Sequence, residues 1–250
     1  MSESDLVDAA VSRLVIANRI LAREDVIDDF GHVSCRHPTR PDRFFLSRSR
    51  SPEIVSRDDI MEFDLGGELV SDDPRRPYAE RFIHAAIYAA RADVGAVAHH
   101  HARSVIPFSV TGVPLRPVFH MASVVGAEVP VWDSQPEFGD TNMLVDSLEM
   151  GRSLARTLGS GRAALLRGHG AVCAASGLRA ICMVSIYMKE NAELLLQSLP
   201  LGAPAFLSEG EIEKASALLL SDMPLTRAWD YWCARAGFGG LSRSGEVGKT

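Results

Sequence analysis

Residues 94–104 read VGAVAHHHARS, and the fold and the chemistry both turn on this stretch. The first half, VGAVA, is small, apolar and uncharged, as expected of a strand buried in a sheet. It then runs into three consecutive histidines. Successive side chains on a strand point to opposite faces, so His99 and His101 share a face and His100 points away. Two imidazoles placed this way can chelate one ion, and imidazole suits zinc, manganese, iron and cobalt. An H-x-H pair alone could as well be a solvated sheet edge. The buried strand ahead of it is what puts this pair at a strand end.

A second signal lies downstream. AALLR at 163–167 and AVCAA at 171–175 read as strands joined through the corner RGHG, with a glycine on each side of His169. Glycine allows a tight, strained backbone path, which is how a corner pushes one side chain into a site. Taken alone the corner is an ordinary hairpin with an exposed histidine. His99, His101 and His169 together make a three-histidine set that leaves a position open for water or substrate, as catalytic metal sites do. Glu80, one turn into an expected helix over 78–91, is the fourth candidate, as ligand or as acid/base. His84 lies four residues on and shares its face, where it would pack behind the ligands or hydrogen-bond one of them.

Working outward, residues 5–23 carry apolar positions at helical spacing. DDFGHVSCRHP is a glycine-led turn into a short strand. RFFLS at 43–47 and IMEFDL at 60–65 read as strands, with a hairpin turn at 66–67. The helix over 78–91 follows Pro77. Residues 107–132 are rich in proline and glycine and end in the strand VPVW at 129–132. Thr141 is placed to cap a helix over 142–158. A long helix is expected over 178–199, and shorter ones over 208–220 and 225–235. The fold class is therefore α/β, with helices around a short-stranded, mixed sheet. Residues 1–238 read as one domain and 239–250 as a flexible tail.

The bulk composition fits this. With 250 residues the chain can bury a substantial core in one domain. A net charge of −6 gives a nucleic-acid partner no electrostatic support. No apolar run nears the roughly 20 residues a bilayer needs, so no membrane partner is expected. The acidic, polar start MSESDLVDAA is unlike a signal peptide. Four cysteines without a CxxC pair point to a reduced cytoplasm.

These residues carry a resemblance. AERFIHAAIYAARADVGAVAHHH, with Glu80, His99 and His101, followed by LLRGHGAV with His169, resembles the class II aldolase and adducin head domain family over roughly residues 5–200. The resemblance implies a three-layer α/β/α fold with a mixed central sheet. It implies one divalent ion (Mn, Zn, Fe, Co or Mg) on the three histidines, with Glu80 as ligand or acid/base. It also implies a homotetramer with sites at subunit boundaries. The aromatics Trp229, Tyr231 and Trp232 could serve such an interface or pack within their own subunit. Adducin-like members lack the metal histidines, so their retention here points to an enzyme.

Departures from the family pattern narrow the substrate. Its sugar-phosphate aldolases hold phosphate with a G-N-x-S turn, a second hydroxyl-rich turn and a serine pair before the Glu. Here the first reads GHVS, with His32 for the Asn; the second reads LSRSRSP, bringing Ser47, Arg48 and Arg50; Tyr78 and Ala79 replace the serines. Arginine suits a planar carboxylate through paired hydrogen bonds, so His32, Ser47, Arg48 and Arg50 are the candidate substrate-binding residues for a small anionic substrate. Arg116 and His120 could line the pocket or its rim. The pattern resembles the branch of the family that decarboxylates hydroxylated aromatic dicarboxylates. The expected function is a divalent-metal-dependent carbon–carbon lyase, a decarboxylase of a hydroxylated aromatic or heteroaromatic (di)carboxylate in catabolism. The alternatives are an aldolase for a non-phosphorylated hydroxy-carbonyl compound and an adducin-like interaction domain.

Overall fold

The computed structural model describes residues 2–239. Helix α1 (Glu3–Arg23) opens with a capping box between Ser2 and Asp5, which satisfies two of the amide groups a helix start leaves unpaired. Strands β1 (His32–Arg36), β2 (Arg43–Ser47) and β3 (Ile60–Asp64) follow, then α2 (Arg81–Ala90) and β4 (Ala96–His100). A short helix α3 (Ile106–Val110) and a 3-10 turn at His120–Val125 interrupt the long loop that leads to β5 (Val131–Trp132) and α4 (Gln135–Phe138). Helix α5 (Leu148–Leu158), the hairpin β6 (Ala163–Leu166) and β7 (Gly170–Ala175), and the helices α6 (Leu178–Ser198), α7 (Glu209–Leu219) and α8 (Asp222–Arg235) complete the order.

The strands form one mixed sheet in the order β3-β2-β1-β4-β7-β6-β5. Only β5 and β6 run parallel; the other pairs are antiparallel. Helices cover both faces, giving the three-layer α/β/α arrangement. On one face Ala96, Ala98, Ala171 and Cys173 pack with Leu14 and Ile20 of α1 and Ile181 and Met188 of α6. On the other Val97 and Val172 pack with Ile83 and Ile87 of α2 and Leu154 of α5. Each of the larger side chains among these, Val, Leu, Ile or Met, contributes about 1.5–3 kcal/mol when fully buried. Strand alternation therefore puts His99 on the α2 side and His100 on the α6 side.

Three helix starts differ by three residues or more from the sequence expectation; one is α8, which begins at Asp222 and not at 225. Helix α5 begins at Leu148, capped by Ser147, and not after Thr141. Residues 141–144 instead form local turns: Thr141 Oγ1 accepts from the Met143 amide, and Asn142 Oδ1 accepts from the Leu144 amide. Met143 has a φ of +67°, which a helix cannot absorb. Helix α2 begins at Arg81, and residues 78–80 form the tight turn before it, with the Ile83 amide bonded to the Glu80 carbonyl. All four cysteines are buried and free, so no disulfide braces the core.

Candidate metal centre

The centre of the sheet sets the site. β4 lies between β1 and β7, with His32 opposite His99 on one side and Val172 opposite His99 on the other. The turn between β6 and β7 carries His169 back over the end of β4. It needs both of its glycines. Gly168 adopts a φ of +65°, and a Cβ on Gly170 would sit 2.2 Å from the His100 carbonyl oxygen. Glu80 enters from the turn ahead of α2, and its Oε1 accepts from the Val145 amide at 3.0 Å. The loop that displaces the expected start of α5 thus delivers the group that fixes Glu80.

The four groups converge. His99 Nε2 lies 3.0 Å from His101 Nε2, and His101 Nε2 lies 3.2 Å from His169 Nε2. Glu80 Oε2 lies 3.5 Å from His99 Nε2 and 3.9 Å from His169 Nε2. All four ligand atoms fall within 4.8 Å of one another. Hydrogen bonds on the far side of two rings decide their tautomers. His99 Nδ1 donates to the Ala171 carbonyl at 3.1 Å, and His101 Nδ1 faces the Asp28 carboxylate at 3.1 Å. In the neutral rings the proton sits on Nδ1, so both Nε2 atoms present bare lone pairs to each other. Such a contact is repulsive unless a proton or a metal ion lies between them. Tetrahedral zinc, bound at about 2.0–2.1 Å, would separate its ligand nitrogens by about 3.3 Å. Donor set, spacing and tautomers all fit one divalent ion.

Electrostatics agree. Burial lowers the basicity of His99 well below the ordinary imidazole value and that of His169 in the same direction, which keeps both rings neutral and able to ligate. Burial raises the Glu80 carboxyl, but the positive charge that His99, His32 or His169 would carry if protonated, together with the His32 hydrogen bond, outweighs it and holds the group below the usual carboxylate range. His100 sits behind the site, buried on the α6 face, with Nε2 3.8 Å from Cys173 Sγ.

A cavity of about 430 Å³ opens over Glu80, His101 and His169, a volume in the range of small-molecule sites. His32, Arg50 and Tyr78 line it with Ser49, Ser51, Leu144 and the rim residues Asp29 and Phe30. Two of the four expected substrate-binding residues thus reach the cavity. Ser47 and Arg48 do not line it. Arg48 is turned away because Asp59, nearly buried, accepts from its Nε at 2.6 Å; Arg50 Nε lies 3.4 Å from the same carboxylate. Ser47 is fully buried in β2. Arg116 stacks over Phe206, with its guanidinium carbon 4.5 Å from the ring centre, and His120 is exposed; neither lines the cavity. Trp229 and Trp232 are buried within their own chain, and only Tyr231 among the three aromatics is exposed.

Sequence reasoning missed Asp28, which orients His101, and the Val145 amide. Both belong to irregular segments whose path only the folded chain defines. His84 does not bond an expected ligand directly. It bonds His32, with Nε2 2.7 Å from His32 Nδ1.

A three-layer fold with three convergent histidines and a glutamate at the end of its central strand defines a class II aldolase-like protein. Residues 12–196 match the family described as Class II Aldolase and Adducin N-terminal domain, and the chain belongs to that family. It is 32% identical to Decarboxylase tropJ of Talaromyces stipitatus, over 89% of this chain and 92% of that one. It is 30% identical to a 5-methylthioribulose-1-phosphate/5-deoxyribulose-1-phosphate aldolase of Rhodospirillum rubrum, over 62% and 66%. It is 27% identical to a 3,4-dihydroxyphthalate decarboxylase of Rhodococcus jostii, over 78% and 82%. Its fold matches an aldolase II superfamily protein from Pseudomonas syringae with a TM-score of 0.77 at 21% identity, covering 97% of this chain and 96% of that one. The chain is a carbon–carbon lyase of this family. Among the described residues no helix is long and apolar enough to cross a membrane.

Proposed function

We propose that Glu80, His99, His101 and His169 hold one divalent ion, and that the enzyme decarboxylates a hydroxylated aromatic or heteroaromatic (di)carboxylate in catabolism. One observation carries the metal reading: the Nε2 atoms of His99 and His101, both left bare by their own hydrogen bonds, meet at 3.0 Å. When bound, the ion supplies a Lewis acid that holds the negative charge developing on a chelating substrate oxygen. The ion is one of zinc, manganese, iron, cobalt and magnesium. Asp28 and the Ala171 carbonyl orient two of the ligating rings, a support that typically matters 10–100-fold for affinity. His32 and Arg50 face the substrate carboxylate in the cavity. The substrate's hydroxyl gives its proton to the ionised Glu80 carboxylate, the carbon–carbon bond breaks with its electron pair left on the ring, carbon dioxide departs, and Glu80 returns that proton to the ring carbon, directly or through one water. Such a positioned transfer contributes about 10²–10⁴-fold.

Support for decarboxylation comes from the relatives named decarboxylases and from the replacement of the phosphate-holding turns by His32 and the arginine segment. An aldolase reading is favoured by one observation, the aldolase relative at 30% identity. In that reading Glu80 manages the proton of a non-phosphorylated hydroxy-carbonyl substrate. We place the working unit at residues 1–238, in the cytoplasm, as a homotetramer whose neighbours complete each cavity. A metal-supplemented screen of hydroxylated aromatic dicarboxylates, followed by carbon dioxide release, separates the two chemistries. Aldehyde without carbon dioxide would establish the aldolase.

A further inference from the structure

Behind the cavity wall a chain of hydrogen bonds runs inward from His32. His32 Nδ1 lies 2.7 Å from His84 Nε2, His84 Nδ1 lies 2.6 Å from Ser34 Oγ, and Ser34 Oγ lies 2.8 Å from the Tyr88 hydroxyl. All four side chains are at most 1% exposed. The protons in this chain are set by which ring nitrogen donates between His32 and His84. If His32 Nδ1 donates inward, His84 Nδ1 donates to Ser34, and one hydroxyl proton has nowhere to go: that of Tyr88 if Ser34 donates to it, or that of Ser34 if Tyr88 donates to Ser34. Among the described residues neither hydroxyl has an acceptor for that proton, since the further contact of Tyr88, with the Val97 amide, is itself a donor, and an orphaned buried donor is costly. If Tyr88 donates outward, Ser34 donates to His84 Nδ1, and His84 Nε2 donates to His32 Nδ1. Every buried proton then has an acceptor, and the His32 proton must sit on Nε2.

His32 Nε2 is itself buried without a hydrogen-bond partner, and it faces the cavity beside Glu80, with Oε2 3.9 Å away. A carboxylate at that distance also disfavours a bare lone pair on the facing nitrogen. We propose that Tyr88, Ser34 and His84 are positioning residues that lock His32 with its proton on Nε2, a fixed donor that selects an acceptor-only oxygen of the substrate, as a carboxylate offers. This deepens the lyase reading, since the selected oxygen is that of its acidic substrate.

The test is ¹⁵N NMR of histidine-labelled enzyme loaded with a diamagnetic ion, zinc or magnesium, on wild type, Ser34→Ala and Tyr88→Phe, alongside kinetics with a carboxylate substrate found by the screen above. In wild type His32 should carry its proton on Nε2. In the variants a mixture should appear. KM should then rise in inverse proportion to the remaining Nε2–H fraction, about twofold at half population, with kcat unchanged. Two variants guard against one failing to fold. A wild-type proton on Nδ1, or a rise in KM with the tautomer unmoved, would overturn the inference. The NMR readout needs no turnover: the expected tautomer in an enzyme that turns over no carboxylate would count against the decarboxylase reading alone, and turnover with the proton on Nδ1 against this inference alone.

Discussion

His101 and His169 stand 68 residues apart in sequence, yet their Nε2 atoms lie 3.2 Å apart. The β6–β7 corner and the end of β4 are built to bring them there, since Gly170 passes too close to the His100 carbonyl to tolerate any side chain. A Gly170→Ala substitution should therefore act on the site through the backbone. The expected outcome is a loss of at least about tenfold in metal affinity, read by metal titration, with the sheet still formed by circular dichroism.

His100 separates the two ligands in sequence but packs in the opposite core beside Cys173. His100→Ala should retain one ion per chain by elemental analysis and lower the melting temperature, because a fully buried side chain is removed at a cost of about 1–3 kcal/mol. Loss of the ion with stability intact would place His100 on the wrong face.

Glu80→Gln should keep the fold, since the amide oxygen can still accept from the Val145 amide. It cannot exchange a proton near neutral pH. Turnover is expected to fall by about 10²-fold or more, with the melting temperature within a few degrees of wild type. Wild-type kcat in this variant would transfer the acid/base role to a bound water.

The two arginines should separate. Both pair with Asp59, Arg48 at 2.6 Å and Arg50 at 3.4 Å, but only Arg50 lines the cavity. Arg50→Ala is expected to raise KM by about tenfold, near the 1.4 kcal/mol of one lost charge-assisted contact. Arg48→Ala should leave KM within about twofold and lower stability by about 1 kcal/mol. Steady-state kinetics and thermal melts on both variants decide between them.

Asp59 also predicts an acid limb of stability. Burial raises its carboxyl, but the Ser56 and Arg48 hydrogen bonds outweigh this and hold it below the ordinary value of 3.8. A carboxyl depressed in the folded state stabilises the fold above its unfolded value, and that contribution is lost as pH falls through the folded one. Denaturant melts should show stability declining below about pH 4, with a shallower decline in Asp59→Asn.

Much of this was legible in the sequence because the relevant signals are periodic. Strand alternation placed His99 and His101 together and His100 apart, and the long helix α6 was visible in its apolar run. The glycine-flanked corner announced His169. What escaped was set by irregular backbone. The positive φ of Met143 moved the start of α5 by six residues from 142 to 148 and brought the Val145 amide to Glu80. The engagement of Arg48 by Asp59 crosses from β2 to a 3-10 turn that composition does not reveal. Asp28 and Ser34 looked like ordinary polar residues until the fold set them behind His101 and His84.

The most direct measurement is the metal content and carbon dioxide output of one preparation, stripped with chelator and then titrated with manganese, zinc, iron, cobalt or magnesium in the presence of a hydroxylated aromatic dicarboxylate. Activity should be absent after stripping and return with at least one of these ions, saturating at one ion per chain, and His169→Ala should neither bind the ion nor release carbon dioxide. Undiminished carbon dioxide release from fully stripped enzyme, or full activity in His169→Ala, would contradict the assignment of a catalytic ion to Glu80, His99, His101 and His169.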